Sequence, residues 1–417
     1  MKQLEVMNFL NEVSDRFPAA YSLASGRPDA RFFKSIDLPR LQQQFIHYFA
    51  DKTGRSFAES QELLLQYGPS AGIINDILAQ HLLADEHILT SPEDIIVTNG
   101  CQEALTLICL NELSKPEDCM LTLDPSYIGL SGFIQSIGKH IEPISIGEHV
   151  LHDSIAFKAN LEVEILNTLK KGYQPKAIYV NGDFNNPLGF SLSELHKKAL
   201  IDVCSTFKIK IIEDNPYGMF NYEGQCAATI KSLDEQGCVY YIGSFAKTVL
   251  PALRVGYLVL PARKIDEVAQ LVALKSLISV NTSQICQAVI GGHLLEQEFS
   301  LERSIQPVRD VYKSKRDALV SALEHYLGGM SQVKWTIPAG GFFLVVSVPF
   351  NVTDEDVFRC AELYGVIFTP VYFFSLAEHT NKRLIRLAFS NLCEAKINDA
   401  VCKLSEFIEF KIGENIR

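Results

Sequence analysis

The 417-residue sequence has no C-x-x-C pair among its ten cysteines and no H-E-x-x-H among its ten histidines. Neither a thiol redox pair nor a zinc site is therefore indicated, and no metal is expected. Positive charge is in deficit. With 38 basic residues against 49 acidic ones the formal net charge is −11, which argues against a nucleic-acid partner or an anionic membrane surface. No apolar run is long enough to span a bilayer. The first residues, Met1-Lys-Gln-Leu-Glu-Val-Met-Asn8, are too broken by polar groups for a signal peptide. Internal repeats, low-complexity stretches and an obvious linker are also missing. These absences leave a soluble, cytoplasmic protein as the expectation, with cysteines such as Cys109, Cys204 and Cys286 kept as reduced thiols in apolar runs.

What is present is a 47% hydrophobic chain of a length that suits a two-domain enzyme. Short β-branched runs at 95–98, 119–123, 141–146, 177–180, 209–213, 239–243 and 255–260 alternate with segments of helical period, such as 102–113 and 192–206. Near-continuous apolar strands separated by helices predict an α/β fold, with a mostly parallel seven-stranded sheet sandwiched by helices. The last two runs are joined by too few residues for a helical crossover, so one antiparallel strand is expected. After about residue 301 the pattern shifts to a smaller α+β domain. The expected division is a large domain over 51–300, a small one over 301–417, and residues 1–50 joining the small domain and covering the cleft.

The most informative stretch is Gly243-Ser-Phe-Ala-Lys247, closed by Arg254 and Gly256. A lysine at the end of an apolar strand tends to lose its proton and become a nucleophile. The hydroxyl of Ser244 and the guanidinium of Arg254 suit a phosphate. Together they describe a lysine that forms an imine with a phosphate-bearing aldehyde, pyridoxal phosphate. Ligands of such sheets bind where the strands end, so the polar residues ending each run are candidates. Thr98-Asn-Gly100-Cys101-Gln102 offers a close backbone and a helix N-terminus to a phosphate, or is an ordinary turn. Tyr127 can stack on a flat ring or simply pack. Asn186, held extended before Pro187, aims its amide, though Asn-Pro favours a turn by itself. Asp214 can hold a ring nitrogen protonated and Tyr217 can donate to a ring oxygen, while a helix cap or a metal ligand is the plainer reading of Asp214. Arg386, inside the alternating strand Leu384-Ile-Arg-Leu-Ala-Phe389, either grips a substrate carboxylate or forms a structural salt bridge.

Taken in order, these landmarks resemble the class I/II, fold-type I pyridoxal-phosphate aminotransferases across nearly the whole chain. Tyr67-Gly68, Asp124-Pro-Ser-Tyr127, Phe184-Asn-Asn-Pro-Leu-Gly189 and Pro338-Ala-Gly-Gly-Phe342 carry the resemblance along with the runs above. It implies that Lys247 is the Schiff-base lysine and the acid/base of the proton shift. Asp214 would pair with the ring nitrogen, Tyr217 and Asn186 with the ring oxygen, and Tyr127 would stack on the ring face. Gly100, Cys101, Gln102, Ser244 and Arg254 would hold the phosphate, with Tyr67 reaching in from the other subunit of a homodimer. Arg386, helped by Asn186, would take the α-carboxylate of an amino acid, whose amino group passes to a 2-oxo acid. Cys101 departs from the usual serine or threonine, and a thiol is a weaker donor, so the backbone must carry more of that grip.

The segments Val6-Met-Asn-Phe-Leu and Ser22-Leu-Ala-Ser-Gly-Arg-Pro28 resemble the branch of aminoadipate and dihydroxyphenylglycine transaminases. Arg27 could there meet a distal substrate group or be a surface arginine. Phe32 and Phe33 could favour a bulky or aromatic substrate or belong to the core. Two alternatives share the cofactor. One is another pyridoxal-phosphate reaction on this scaffold (lyase, decarboxylase, racemase or oxidase). The other is a cofactor-sensing transcription regulator, which the acidic charge and the early start of the family pattern at Ser22 disfavour.

Overall fold

Sequence runs that are apolar on both faces need cover on both sides, and in the computed structural model they obtain it. The structure describes residues 3–34, 36–224, 226–261, 265–377 and 380–416. Seven strands form one sheet: β1 Ile95–Thr98, β2 Asp118–Asp124, β3 His140–Ser145, β4 Gln174–Val180, β5 Lys210–Asp214, β6 Val239–Ser244 and β7 Gly256–Val259, in the spatial order β1-β7-β6-β5-β4-β2-β3. Strand β7 runs antiparallel to both its neighbours, and every other pair is parallel. The connection from β6 to β7 holds only a turn and the 3-10 segment Pro251–Leu253, which reverses the chain without a crossover helix.

Adjacent residues of one strand feed opposite layers. Ile211 packs with Leu200, Val203 and Cys204 of helix Glu194–Phe207 on one face. Ile212 packs with Leu105 and Ile108 of helix Cys101–Glu112 on the other. Helix Glu194–Phe207 starts where the Ser193 side chain accepts the His196 N–H, a regular N-cap.

A second sheet is built from β8 Lys334–Trp335, β9 Phe343–Ser347, β10 Thr369–Pro370 and β11 Leu384–Ala388, antiparallel throughout in the order β10-β11-β9-β8. Its apolar cluster takes Ile305, Tyr312 and Leu319 from helix Glu302–Leu327 and Leu404 and Phe407 from helix Glu394–Ile416. The N-terminal segment joins this cluster through Val6, Phe9, Val13 and Leu23, and Tyr21 and Ser22 pair in parallel with Val366 and Ile367. Helix Leu38–Thr53 does not follow it. Phe45 and Ile46 of that helix lie in the cluster of Ile74 and Val97, beside the seven-stranded sheet. The expected break at residue 50 thus falls inside a helix, and the change of packing comes ahead of it. Among the described residues no helix is long and apolar enough to cross a membrane, and no group of three or more His, Cys, Asp or Glu side chains is placed to hold a metal ion.

Candidate active site

Strands β1, β5 and β6 end at one edge of the large sheet, and the polar residues singled out in the sequence gather there. Asp214 is the last residue of β5. Its Oδ2 accepts the Tyr179 hydroxyl at 2.7 Å, and the Asn181 amide donates to its backbone carbonyl at 2.7 Å. Its Oδ1 is buried and has no hydrogen-bond partner. Burial pushes this carboxyl up to about 6, against the lowering effect of the Tyr179 hydroxyl and the Cys101 thiol beside it. Lys247 lies in the turn after β6. Its Nζ donates to the Gly26 carbonyl at 2.8 Å and sits 5.9 and 5.8 Å from the ring centres of Tyr217 and Phe342. Burial lowers its pKa to about 8, with the positive charges of Arg254 and Arg386 acting in the same direction and the Cys101 thiol opposing them.

At the neighbouring strand end, Gly100 adopts φ +74° and opens helix Cys101–Glu112. A Cβ there would stand 2.6 Å from Nη2 of Arg254, so the missing side chain is what lets the guanidinium lie over this helix end. The Tyr127 ring folds over Gly129, where a Cβ would meet its hydroxyl at 2.5 Å. Burial pushes the Tyr127 phenol up to about 12, reinforced by Asp214 and the Cys101 thiol. Ser244 ends β6 and Cys101 begins the helix. The Cys101 thiol, pushed well up by burial and by Asp214, faces both Asp214 and Ser244.

The second sheet supplies the opposite group. Arg386, in the middle of β11, is 5% exposed and has no acidic partner among the described residues. Nη1 donates to Oδ1 of Asn186 at 2.6 Å, and Nη2 to the Ala24 carbonyl at 2.6 Å and the Thr369 hydroxyl at 3.3 Å. Nε is buried and unpartnered. The guanidinium carbon lies 4.3 and 4.7 Å from the rings of Phe343 and Phe374. Burial lowers its pKa to about 10, with Tyr217 opposing. A structural salt bridge, the plainer reading of this residue, is therefore not what the strand contains.

The remaining candidates are placed less simply. The Gln102 amide donates to the Gly129 carbonyl at 3.0 Å, so its backbone is the part left for an anion. Tyr217 is buried against Phe342 and Phe343, with Asp214 and Arg386 both close enough to act on its phenol. Tyr67 is 84% exposed, outside this cleft. Arg27 has an exposed side chain and contributes its backbone carbonyl, which accepts the Ser390 hydroxyl at 2.8 Å. Phe32 packs edge-on against Tyr312 at 5.7 Å, as a core residue does. Sequence reasoning missed Tyr179, Asn181 and the carbonyls of Ala24 and Gly26. The first two stand in or beside a recognised strand run. The carbonyls carry no side-chain signal at all.

Pyridoxal phosphate fits what these residues leave open. Asp214 keeps one buried oxygen for a ring N–H, the Gly100 turn and Arg254 form a cradle a side chain would fill, and Arg386 keeps a donor for a carboxylate. The aminotransferase class I and II family matches residues 24–404. The chain is 36% identical over 413 residues to an (S)-3,5-dihydroxyphenylglycine transaminase of Amycolatopsis orientalis, covering 97% of this chain and 92% of that protein. It is 30% identical over 415 residues to aromatic-amino-acid aminotransferase 1 of Thermococcus litoralis, covering 98% and 92%. Its fold matches a crystal structure of the Pyrococcus horikoshii kynurenine aminotransferase in complex with PMP, KYN as substrates and KYA as products, with a TM-score of 0.84, 27% identity and coverage of 98% and 95%. The chain belongs to the class I and II aminotransferases, fold-type I enzymes that use pyridoxal phosphate to move an amino group between an amino acid and a 2-oxo acid.

Proposed function

We propose that this enzyme transaminates bulky, aromatic L-amino acids, with Lys247 as the catalytic residue and Arg386 as the carboxylate anchor. The observation that carries the reading is Arg386 itself, a buried guanidinium with a free Nε, no acid beside it and two aromatic rings on it. Two of the relatives named above act on aromatic substrates, and Tyr217, Phe342, Phe343 and Phe374 give the cleft apolar walls. Arg27, with its side chain exposed, leaves a distal acidic group on the substrate without an evident partner.

In this assignment Lys247 holds the cofactor through its amine, and Gly100, Cys101, Gln102, Ser244 and Arg254 hold its phosphate. Tyr127 covers the ring, Asp214 pairs with the ring nitrogen, and Tyr217 and Asn186 bind the ring oxygen. The cofactor, when bound, supplies the electron sink that acidifies the substrate's α C–H. Arg386 and Asn186 fix the α-carboxylate, which leaves the α-carbon oriented toward Nζ of Lys247. At a pKa of about 8, roughly one amine in ten is neutral at pH 7, against about one in three thousand for an ordinary lysine. Nζ can therefore take the α-proton and return it. Tyr179 holds the Asp214 carboxylate in place, so that its charge stays aimed at one atom.

The proposal includes a homodimer, since Tyr67 is too exposed to serve its own cleft and suits the phosphate of a second copy. It also includes a cytoplasmic setting, for which the ten unpaired cysteines are suited. The division into two units is placed ahead of helix Leu38–Thr53, with residues 301–417 forming the smaller one. A panel of amino donors tests the substrate reading through the amount of 2-oxo acid formed. Phenylalanine, tyrosine and phenylglycine-type donors should exceed alanine and α-aminoadipate in kcat/KM. A preference for α-aminoadipate would overturn it.

A further inference from the structure

The residues that approach Lys247 and Arg386 from above belong to one extended segment, 23–31, whose contacts fall into two sets. The inner set is made of backbone carbonyls facing the cleft: Ala24 on Arg386 and Gly26 on Lys247. The outer set lies behind it. Asp29 is 7% exposed and its Oδ2 accepts Nζ of Lys315 at 2.6 Å. Lys315, on helix Glu302–Leu327, is fully buried, and the same Nζ donates to the Ser390 carbonyl at 2.7 Å. The Ser390 hydroxyl donates back to the Arg27 carbonyl at 2.8 Å, and the Asp29 N–H donates to the Tyr312 hydroxyl at 2.9 Å. Ser390 stands two residues beyond β11, the strand that carries Arg386. One ammonium group thus joins the segment above the cleft to the strand below it.

We infer that Asp29 and Lys315 are positioning residues for amino-acid binding. Their ion pair holds residues 23–27 at the distance from β11 at which Ala24 and Asn186 leave one face of the Arg386 guanidinium open. Neither residue touches the cleft. They act through the Ala24 and Gly26 carbonyls, which have no side chain by which they could be held. A bond of this kind is strong enough for the task because it is dry and doubly hydrogen-bonded, whereas a surface pair would not be. The carboxylate also accepts the Arg31 N–H at 2.9 Å and its Nε at 3.0 Å, which fixes the turn that follows the segment. The inference rests on the assignment of Arg386 to the substrate carboxylate.

The test uses the pyridoxal-phosphate-loaded enzyme and three variants. Asp29→Asn leaves Lys315 buried without its partner and can fail to fold, so Asp29→Asn/Lys315→Met removes both charges together. Ser390→Ala keeps both ions and removes only the bond to Arg27. The double variant should raise KM for an aromatic donor roughly tenfold, with kcat changed far less, because misplacement by even an ångström is costly at a binding site. Amides of residues 23–27 should exchange hydrogen faster, while those of β4 and β5 exchange as in the wild type. Ser390→Ala should shift both readings in the same direction by a smaller factor. Wild-type KM and wild-type exchange in the double variant, or in Ser390→Ala should the double variant not fold, would overturn the inference. So would faster exchange with unchanged KM. An Arg386→Ala control separates the two assignments, since unchanged KM there would instead remove the carboxylate site on which the inference stands.

Discussion

Lys197, Lys275 and Lys315 are each fully withdrawn from water, and each has a carboxylate in contact: Asp183 at 2.8 Å, Glu103 at 2.6 Å and Asp29 at 2.6 Å. Asp214 and Arg386 are 4% and 5% exposed, yet neither has an ionic partner among the described residues. Burying an unmatched ion costs several kcal/mol, so a fold retains one only where something else repays it. The three lysines are matched within the chain and do structural work. Asp214 and Arg386 are matched by neutral dipoles alone, and burial pushes both toward their uncharged forms, to about 6 and about 10. A positively charged ring nitrogen answers the first and a substrate carboxylate the second. Buried charge is common to both regions, and the missing partner is what marks the site.

The comparison can be broken from either side. On the cleft side, Lys247→Ala should lower turnover by roughly 10⁴-fold or more, since both the covalent anchor and the proton carrier are lost. Residual activity within tenfold of wild type would assign the proton to another residue. Arg386→Ala should raise KM for every amino donor roughly 10²-fold, because a desolvated, bidentate charge pair is lost. The same variant should leave the unfolding free energy of the cofactor-free protein within about 1 kcal/mol of wild type, since the charge removed was unmatched. Lys197→Met sharpens the contrast. It strands Asp183 without its ammonium, and denaturant unfolding should show a loss of roughly 3–5 kcal/mol. Equal stability changes in the two variants would erase the distinction between matched and unmatched ions. The smallest effect is expected of Arg27→Ala, whose exposed side chain should alter kcat/KM for aromatic donors by no more than about twofold.

Much of this arrangement was legible in the sequence because its chemistry violates local pattern. A lysine after an apolar strand, two acids ending one and an arginine within one each stand out against their neighbours. The seven strands were legible for a related reason: runs buried on both faces are apolar throughout, so they need no alternation to be recognised. Tyr179 was not, because a tyrosine in Ala177-Ile-Tyr-Val180 reads as ordinary β-sheet packing. Its hydroxyl acquires a role only when β4 pairs with β5 in a register that sets Tyr179 against Ile212, two residues from Asp214. Asp29 and Lys315, 286 residues apart, were invisible for the same reason, since a partner so distant leaves no mark on local spacing. The break expected at residue 50 failed differently. Helix Leu38–Thr53 has an apolar stripe that fits either cluster, and only tertiary packing chooses the larger one.

The central claim is that the unpartnered oxygen of Asp214 is kept for the cofactor's ring nitrogen. Its most direct test is the visible spectrum of Asp214→Asn loaded with pyridoxal phosphate, compared with wild type, on addition of an aromatic amino acid without any 2-oxo acid. Wild type should be yellow, lose that colour on adding the donor and regain it when a 2-oxo acid follows. Asp214→Asn should also become yellow, since Lys247 is intact, but the colour should persist on adding the donor, or fade roughly 10²-fold more slowly or worse. Fading at the wild-type rate would contradict the account.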